Sequence, residues 1–149
     1  MDYSQLPEVG QVAVVVENLD QAVQYYTNTL NMGPFVELEY KPERAVLKGK
    51  DISFTFKLAF ANWGKINFEI VEVLKGEVEH KDFLRRTGGG VHHLGFYVDN
   101  MQGWIDHFAK KGVPVLLDLE GIVGPRGRRR AVFFDTSPGS VLFEFIQIL

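Results

Sequence analysis

Apolar and polar positions along the chain fall into a pattern that occurs twice. From Gln11 to Tyr26 the sequence runs QVAVVVENLDQAVQYY, and from His93 to Phe108 it runs HLGFYVDNMQGWIDHF. The second stretch overlies the first without a gap, at an offset of 93 − 11 = 82 residues. Each copy opens on an apolar strand-like run and passes through an acidic–Asn pair, Glu17-Asn18 or Asp99-Asn100. Apolar residues three and four apart follow: Leu19, Val23, Tyr26 and Leu30 in the first copy, Met101, Ile105 and Phe108 in the second. That spacing predicts a helix with one apolar face. Asn18 and Asn100 are the expected N-caps. Gly33 and Gly112, each with a proline close behind, are the expected stops.

The repeat continues. INFEIVEV (66–73) matches VLFEFIQI (141–148), now at an offset of 144 − 69 = 75, so the second copy is shorter by 82 − 75 = 7 residues. Between these landmarks lie the strand-like runs PFVELEY, DISFTFKLAFA, VPVLLDL and RAVFFDT. Each half is therefore about one strand, one helix and three strands. The predicted fold is α+β: two tandem βαβββ modules, related by a pseudo-twofold axis, forming a curved mixed sheet around a cleft. Module 1 spans about 8–74 and module 2 about 91–149. A linker of about 75–90 carries a short helix, HKDFLRR, and the Gly88-Gly89-Gly90 loop. All 149 residues form one domain on this reading.

Strand alternation sorts the side chains. Val12, Val14 and Val16 share the face that should meet the helix, as do Leu94, Phe96 and Val98 in the other half. Gln11, Ala13 and Val15, with His93, Gly95 and Tyr97, face the cleft, where Ala13 and Gly95 are small enough to leave a cavity. Glu69 lies between Phe68 and Ile70, and Glu144 between Phe143 and Phe145. A buried carboxylate without a partner is strongly unfavourable, so both need a partner or a surface position. Gln11 and His93 are equivalent under the repeat, and so are Glu69 and Glu144. Pairing of the halves about a twofold axis brings all four to one point. One amide oxygen, one imidazole nitrogen and two carboxylates suit a single divalent cation such as Co, Ni, Zn, Mn or Fe. Two octahedral positions would remain for water or substrate. Taken singly, each residue also has an ordinary reading, as a solvated strand residue or a satisfied histidine. Alternation sends His92 to the face opposite His93, as a structural residue, and His80 and His107 read as surface residues. Trp63 and Trp104 read as packing residues.

Bulk properties narrow the class. With 46% hydrophobic and 23% charged residues, the chain has material for a core and is not a disordered or membrane sequence. A net charge of −3 argues against nucleic-acid binding. No apolar run reaches the length of a membrane span, and MDYSQLPEVGQ lacks the features of a signal peptide. Cysteine is absent, which removes disulfides and thiolate chemistry and fits a cytoplasmic location.

VAVVVENLDQAVQYYTNTLNMG, GGGVHHLGFYVDNM, INFEIV and VLFEFI together resemble the vicinal oxygen chelate proteins, a group that includes glyoxalase I, methylmalonyl-CoA epimerase, extradiol dioxygenases and bleomycin-resistance proteins. FEIVEVLKGE with the helix ending in FLRRTGGGVHHLGFYVD, then GVPVLLD and GPRGRRRAVFFDT, resemble methylmalonyl-CoA epimerases most. The resemblance implies a metal held by Gln11, Glu69, His93 and Glu144, and a homodimer. It also implies proton abstraction next to a metal-bound carbonyl, with Glu144 as ligand and base. The epimerase pattern has histidine in place of Gln11, whereas eukaryotic glyoxalase I has glutamine there. The epimerases also take a second acidic base from the strand near DISFTF, where the nearest carboxylate in this chain is Asp51. The loop GPRGRRR offers Arg126 and Arg128 to coenzyme A phosphates or a substrate carboxylate; the other reading is a solvated turn. The expected function is epimerisation or isomerisation of a small acyl-CoA thioester. A glyoxalase I-like lactoylglutathione lyase and a non-enzymatic binding protein are the alternatives. Gln11 and the extra carboxylate argue against an extradiol dioxygenase, which needs two histidines and one carboxylate on iron.

Overall fold

The computed structural model describes residues 2–149. In chain order it contains β1 (Gln11–Val15), α1 (Leu19–Asn28), β2 (Val36–Tyr40), β3 (Arg44–Leu47), β4 (Lys50–Asp51), β5 (Thr55–Trp63) and β6 (Ile66–Lys75). Then come α2 (Glu79–Thr87), β7 (Gly90–Tyr97), α3 (Met101–Lys110), β8 (Val115–Ile122), β9 (Arg128–Phe134) and β10 (Leu142–Ile148). No helix among the described residues is long and apolar enough to cross a membrane.

The strands form one mixed sheet in the order β2-β5-β6-β1-β7-β10-β9-β8-β3-β4. Its centre has the predicted symmetry. β1 pairs in parallel with β6, β7 pairs in parallel with β10, and β1 and β7 run antiparallel across the pseudo-twofold axis. The sequence repeat did not reveal the short hairpin β3–β4. It leaves the first module and pairs β3 with β8 of the second, Ala45 opposite Leu119. The two modules are thus joined at the axis and again at the far edge.

Helices α1 and α3 cover one face, capped as the sequence predicts. The Asn18 side chain accepts from Gln21 N–H at 3.0 Å, and Asn100 from Gly103 N–H at 3.0 Å. A second pair of caps follows the same symmetry: Leu19 N–H donates to Glu72 and Met101 N–H to Gln147. Val14, Phe68 and Ile70 pack under α1, and Phe96, Val98 and Phe145 under α3. Leu30 departs from its predicted place. α1 ends at Asn28, Asn31 turns left-handed (φ +56°), Leu30 is exposed and Met32 packs in its stead. The concave face is lined by a third apolar cluster drawn from both modules, including Tyr40, Phe56, Leu58, Phe60, Leu119 and Phe133. α2 closes one end of it through Val78 and Phe83.

Candidate metal centre

Each of the four central strands brings one of the four predicted residues to the concave face. Gln11, Glu69, His93 and Glu144 are all buried, His93 to within 1% of its surface. Register explains their convergence. Across the sheet, Gln11 and Glu144 flank Gly95 in one row, while Glu69 and His93 flank Ala13 in the next. The two small residues are symmetry mates, and they open the space that the four long side chains fill. At Gly95 that space is essential: a Cβ there would stand 2.8 Å from the Gln11 Cβ and 3.1 Å from its Oε1.

The four side chains come together on the concave face. His93 Nε2 lies 2.9 Å from Glu144 Oε2 and 3.5 Å from Glu69 Oε1. Yet His93 Nε2, Glu144 Oε2 and Gln11 Oε1 are buried with no hydrogen-bond partner, as is Nδ1 of His80 on the same cavity wall. Unpartnered polar atoms are costly in a core, and a cation held among these side chains would relieve that cost. Gln11 is turned for this role, because its Nε2 donates to Asn67 Oδ1 at 3.2 Å and leaves Oε1 facing inward. The electrostatics agree. Burial pushes the Glu69 carboxyl upward, partly offset by His93. Burial also disfavours an imidazolium at His93, but Glu144 and Glu69 outweigh it and lift the group to about 9. The paired carboxylates demand positive charge, and a divalent ion meets that demand more fully than a proton. The donor set fits a divalent metal.

Two histidines lie elsewhere than the sequence predicts. His80, expected at the surface, is buried on the cleft wall against Phe56 and Phe133. Burial, and then His92, hold its pKa well below the ordinary imidazole value. His92, expected on the opposite face, is buried beside His93 with their Nδ1 atoms 2.9 Å apart. A β-bulge is the reason. Ala13 pairs with His93 but Val14 pairs with Val91, so His92 is the extra residue and both imidazoles point the same way. The ring nitrogens of His80, His92 and His93 fall within 4.8 Å of one another. Both nitrogens of His92 are already engaged, however, by His93 and by Glu79. His107 is half-buried, stacked on Tyr3.

Asp51 is not brought to the cleft. It is exposed on β4, the outermost strand, opposite Val46. The proton-carrying groups beside these four residues on the cleft wall are instead Tyr40 and His80. Tyr40 is held protonated by burial and by the nearby carboxylates, Glu144 foremost. Arg126 lines the cleft as expected, and Arg128 does not: its guanidinium is doubly bonded to Glu43 at 2.6 and 3.0 Å. Along β9, Arg129 is the residue whose side chain reaches the cleft, together with Ala131 and Phe133. Arg126 donates to Asn67 Oδ1 (3.0 Å) and Tyr97 Oη (2.7 Å), and its guanidinium lies 4.2 Å over the Phe60 ring. Arg129 approaches the same Tyr97 hydroxyl at 3.4 Å. Alternation along β9 separates Arg129 from Arg128 and Arg130, but the sequence alone does not say which side of the strand faces the cleft, and the residue expected there was Arg128.

A family model for the Glyoxalase/Bleomycin resistance protein/Dioxygenase superfamily matches residues 10–133. This chain belongs to that superfamily. Its relatives include the mitochondrial methylmalonyl-CoA epimerase of Mus musculus, 27% identical over 95% of this chain and 74% of that protein. Another is a 2-epi-5-epi-valiolone epimerase of an Actinomyces species, 29% identical over 94% and 79%. Among solved structures, methylmalonyl-CoA epimerase from Mycobacterium tuberculosis superposes with a TM-score of 0.66 at 18% identity, covering 100% of this chain and 93% of that one. A Streptomyces coelicolor methylmalonyl-CoA epimerase variant in complex with 2-nitronate-propionyl-CoA gives 0.66 at 20% identity, covering 97% and 96%. At these identities the structural likeness is one of fold.

Proposed function

We propose that this chain is a divalent-metal-dependent epimerase or isomerase that removes a proton next to a carbonyl, with a methylmalonyl-type coenzyme A thioester as the first substrate to test. The observation that carries the reading is the buried grouping of His93 with Glu144 and Glu69, together with the unpartnered polar atoms of Gln11, His93 and Glu144. Gln11, Glu69, His93 and Glu144 would hold the metal. When bound, the ion supplies the positive charge that polarises a carbonyl and acidifies the neighbouring C–H. Glu144 would hold the metal through Oε2, the buried oxygen beside His93, which would leave Oε1 to accept the proton. A different proton would be delivered to the other face by Tyr40 or His80, which line the same cavity, and exchange with solvent would then reset that group and Glu144.

Charge and shape favour an anionic substrate with a small head. A divalent ion cancels the charges of Glu69 and Glu144. Arg126 and Arg129 have no carboxylate partner among the described residues, whereas Arg128 pairs with Glu43 and Arg130 with Asp118. The loaded cleft is therefore positive, and two guanidiniums converging on one hydroxyl suit a carboxylate or phosphate. The inner cavity measures about 60 Å3. Past Phe60 and Arg126 lies an outer chamber of about 560 Å3, bordered by Pro34, Leu38, Lys65 and Pro125, with room for a long tail.

Incubating metal-loaded protein with methylmalonyl-CoA in D2O tests the reading by α-carbon exchange. Exchange that disappears in Glu144→Gln supports it, and none at enzyme levels sufficient for a known epimerase overturns that substrate. The glutamine at position 11 favours a second reading, a glyoxalase I-like isomerase, shown by turnover of methylglyoxal with a thiol. Protein that takes up no cobalt, nickel or zinc overturns both readings in favour of a binding module. A homodimer is part of the proposal, and sedimentation reads it directly.

A further inference from the structure

Behind His93 the cleft wall contains a chain of polar contacts that the proposed reaction does not itself use. His93 Nδ1 meets His92 Nδ1 at 2.9 Å, and His92 Nε2 is hydrogen-bonded to Glu79 Oε2. The other oxygen of Glu79 is 3.4 Å from the Arg86 guanidinium. Glu79 is the first residue of α2, where a negative charge is favoured by the exposed N–H groups of the helix. His92 is present on this side only because the β7 bulge turns two consecutive imidazoles the same way. The arrangement is buried: His80 stacks on His92 with centroids 4.1 Å apart, and Phe83 and Phe133 close around it.

The proton positions in this chain follow from chemistry. A cation on His93 Nε2 leaves the proton on Nδ1, which must then donate to His92 Nδ1. His92 accepts there, so its own proton is on Nε2 and is donated to Glu79. Each link has one donor and one acceptor, and the carboxylate terminates the series. Without His92 the Nδ1 proton of His93 would be buried and unpaired. Without Glu79 nothing would fix the His92 tautomer. Outer partners of this kind orient a metal-bound imidazole and raise its basicity.

We propose that Glu79 and His92 are positioning residues for the metal site, a carboxylate–imidazole relay that locks the tautomer and orientation of His93 and tightens its grip on a divalent ion. This rests on the metal reading above, and it assigns His80 no ligand role. Co2+ is the probe, titrated into the metal-free full-length protein and followed by its visible ligand-field bands. Thermal unfolding of each metal-free variant is measured in parallel. Glu79→Ala and His92→Phe should weaken Co2+ binding about 10- to 100-fold and shift the bands. Glu79→Gln, which can still accept the His92 proton but lacks the charge, should fall between these and the wild type, and Glu79→Asp should recover part of the affinity. His80→Leu should leave the affinity and the bands unchanged. A purely structural role would lower the unfolding temperatures and leave the affinities alike, and that pattern overturns the proposal. So does a loss of affinity in His80→Leu equal to that in His92→Phe, because the metal would then lie among the three histidines. Wild-type protein that binds no Co2+ refutes the metal reading itself, and the relay with it. Tight wild-type binding with unaltered Glu79 and His92 variants refutes the relay alone.

Discussion

The arginines around this cleft are sorted by single steps along a strand. Arg128 and Arg129 are neighbours in sequence, yet one is neutralised by Glu43 and the other lines the cavity beside Arg126. Arg129→Gln should therefore raise KM for an anionic substrate about 10- to 100-fold, the loss of one charge-assisted hydrogen bond of roughly 1.5–3 kcal/mol. Arg128→Gln should leave KM within about twofold, since its guanidinium is held by Glu43 outside the cleft. Equal effects in steady-state kinetics of the two variants would refute the division. The same one-residue step explains why RGRRR could not be parsed from composition: four like charges in five positions carry no label for the side of the sheet they face.

At the level of elements, the central strands act through what they omit as much as through what they carry. Gly95 and Ala13 leave the gap in which the four polar side chains meet. Gly95→Ala puts a methyl 2.8 Å from the Gln11 Cβ, on backbone held by β1 and β10, so Gln11 must shift. We expect metal affinity to fall at least tenfold by calorimetric titration. Overpacking should lower folding stability by about 1–3 kcal/mol. Affinity equal to the wild type would mean that Gln11 is not a ligand in practice. The helices were legible because their signals are local: Asn18 and Asn100 cap them, and apolar residues recur at helical spacing. The bulge at His92 was not. A bulge is decided by pairing between strands, and HHLGFY reads as uninterrupted alternation when β1 is not in view.

Across the whole molecule, the two modules are tied at the sheet axis and at the β3–β8 edge. Asp118 on β8 is central to the second tie, accepting from Arg44 on β3 at 2.8 Å and from Arg130 on β9 at 2.8 and 3.1 Å. Burial raises its pKa, but the two arginines outweigh burial and the carboxyl titrates below its ordinary 3.8. A depressed carboxyl pKa contributes stability that is fully present above the unfolded value and is lost as pH falls through the folded one. Asp118→Asn should thus lower stability at pH 7 by about 1–2 kcal/mol, a half-buried pair lying between exposed and buried cases. The gap between variant and wild type should close in denaturant titrations as pH drops below 3.8. A gap that persists at low pH would show that packing, rather than charge, is what Asp118 supplies.

The sequence by itself determined the repeat, the two capped helices, the α+β class and the four polar residues of the candidate centre. Each of these is written in local periodicity or in the equivalence of the two copies, so one chain suffices to read it. Only the tertiary structure decided where Asp51, Arg129, His80 and His92 lie. Asp51 went to an outer edge because the β3–β4 hairpin pairs with the other module, and His92 joined His93 because the β1–β7 pairing absorbs an extra residue. Both outcomes depend on contacts between segments far apart in the chain, which alternation along a single strand cannot encode.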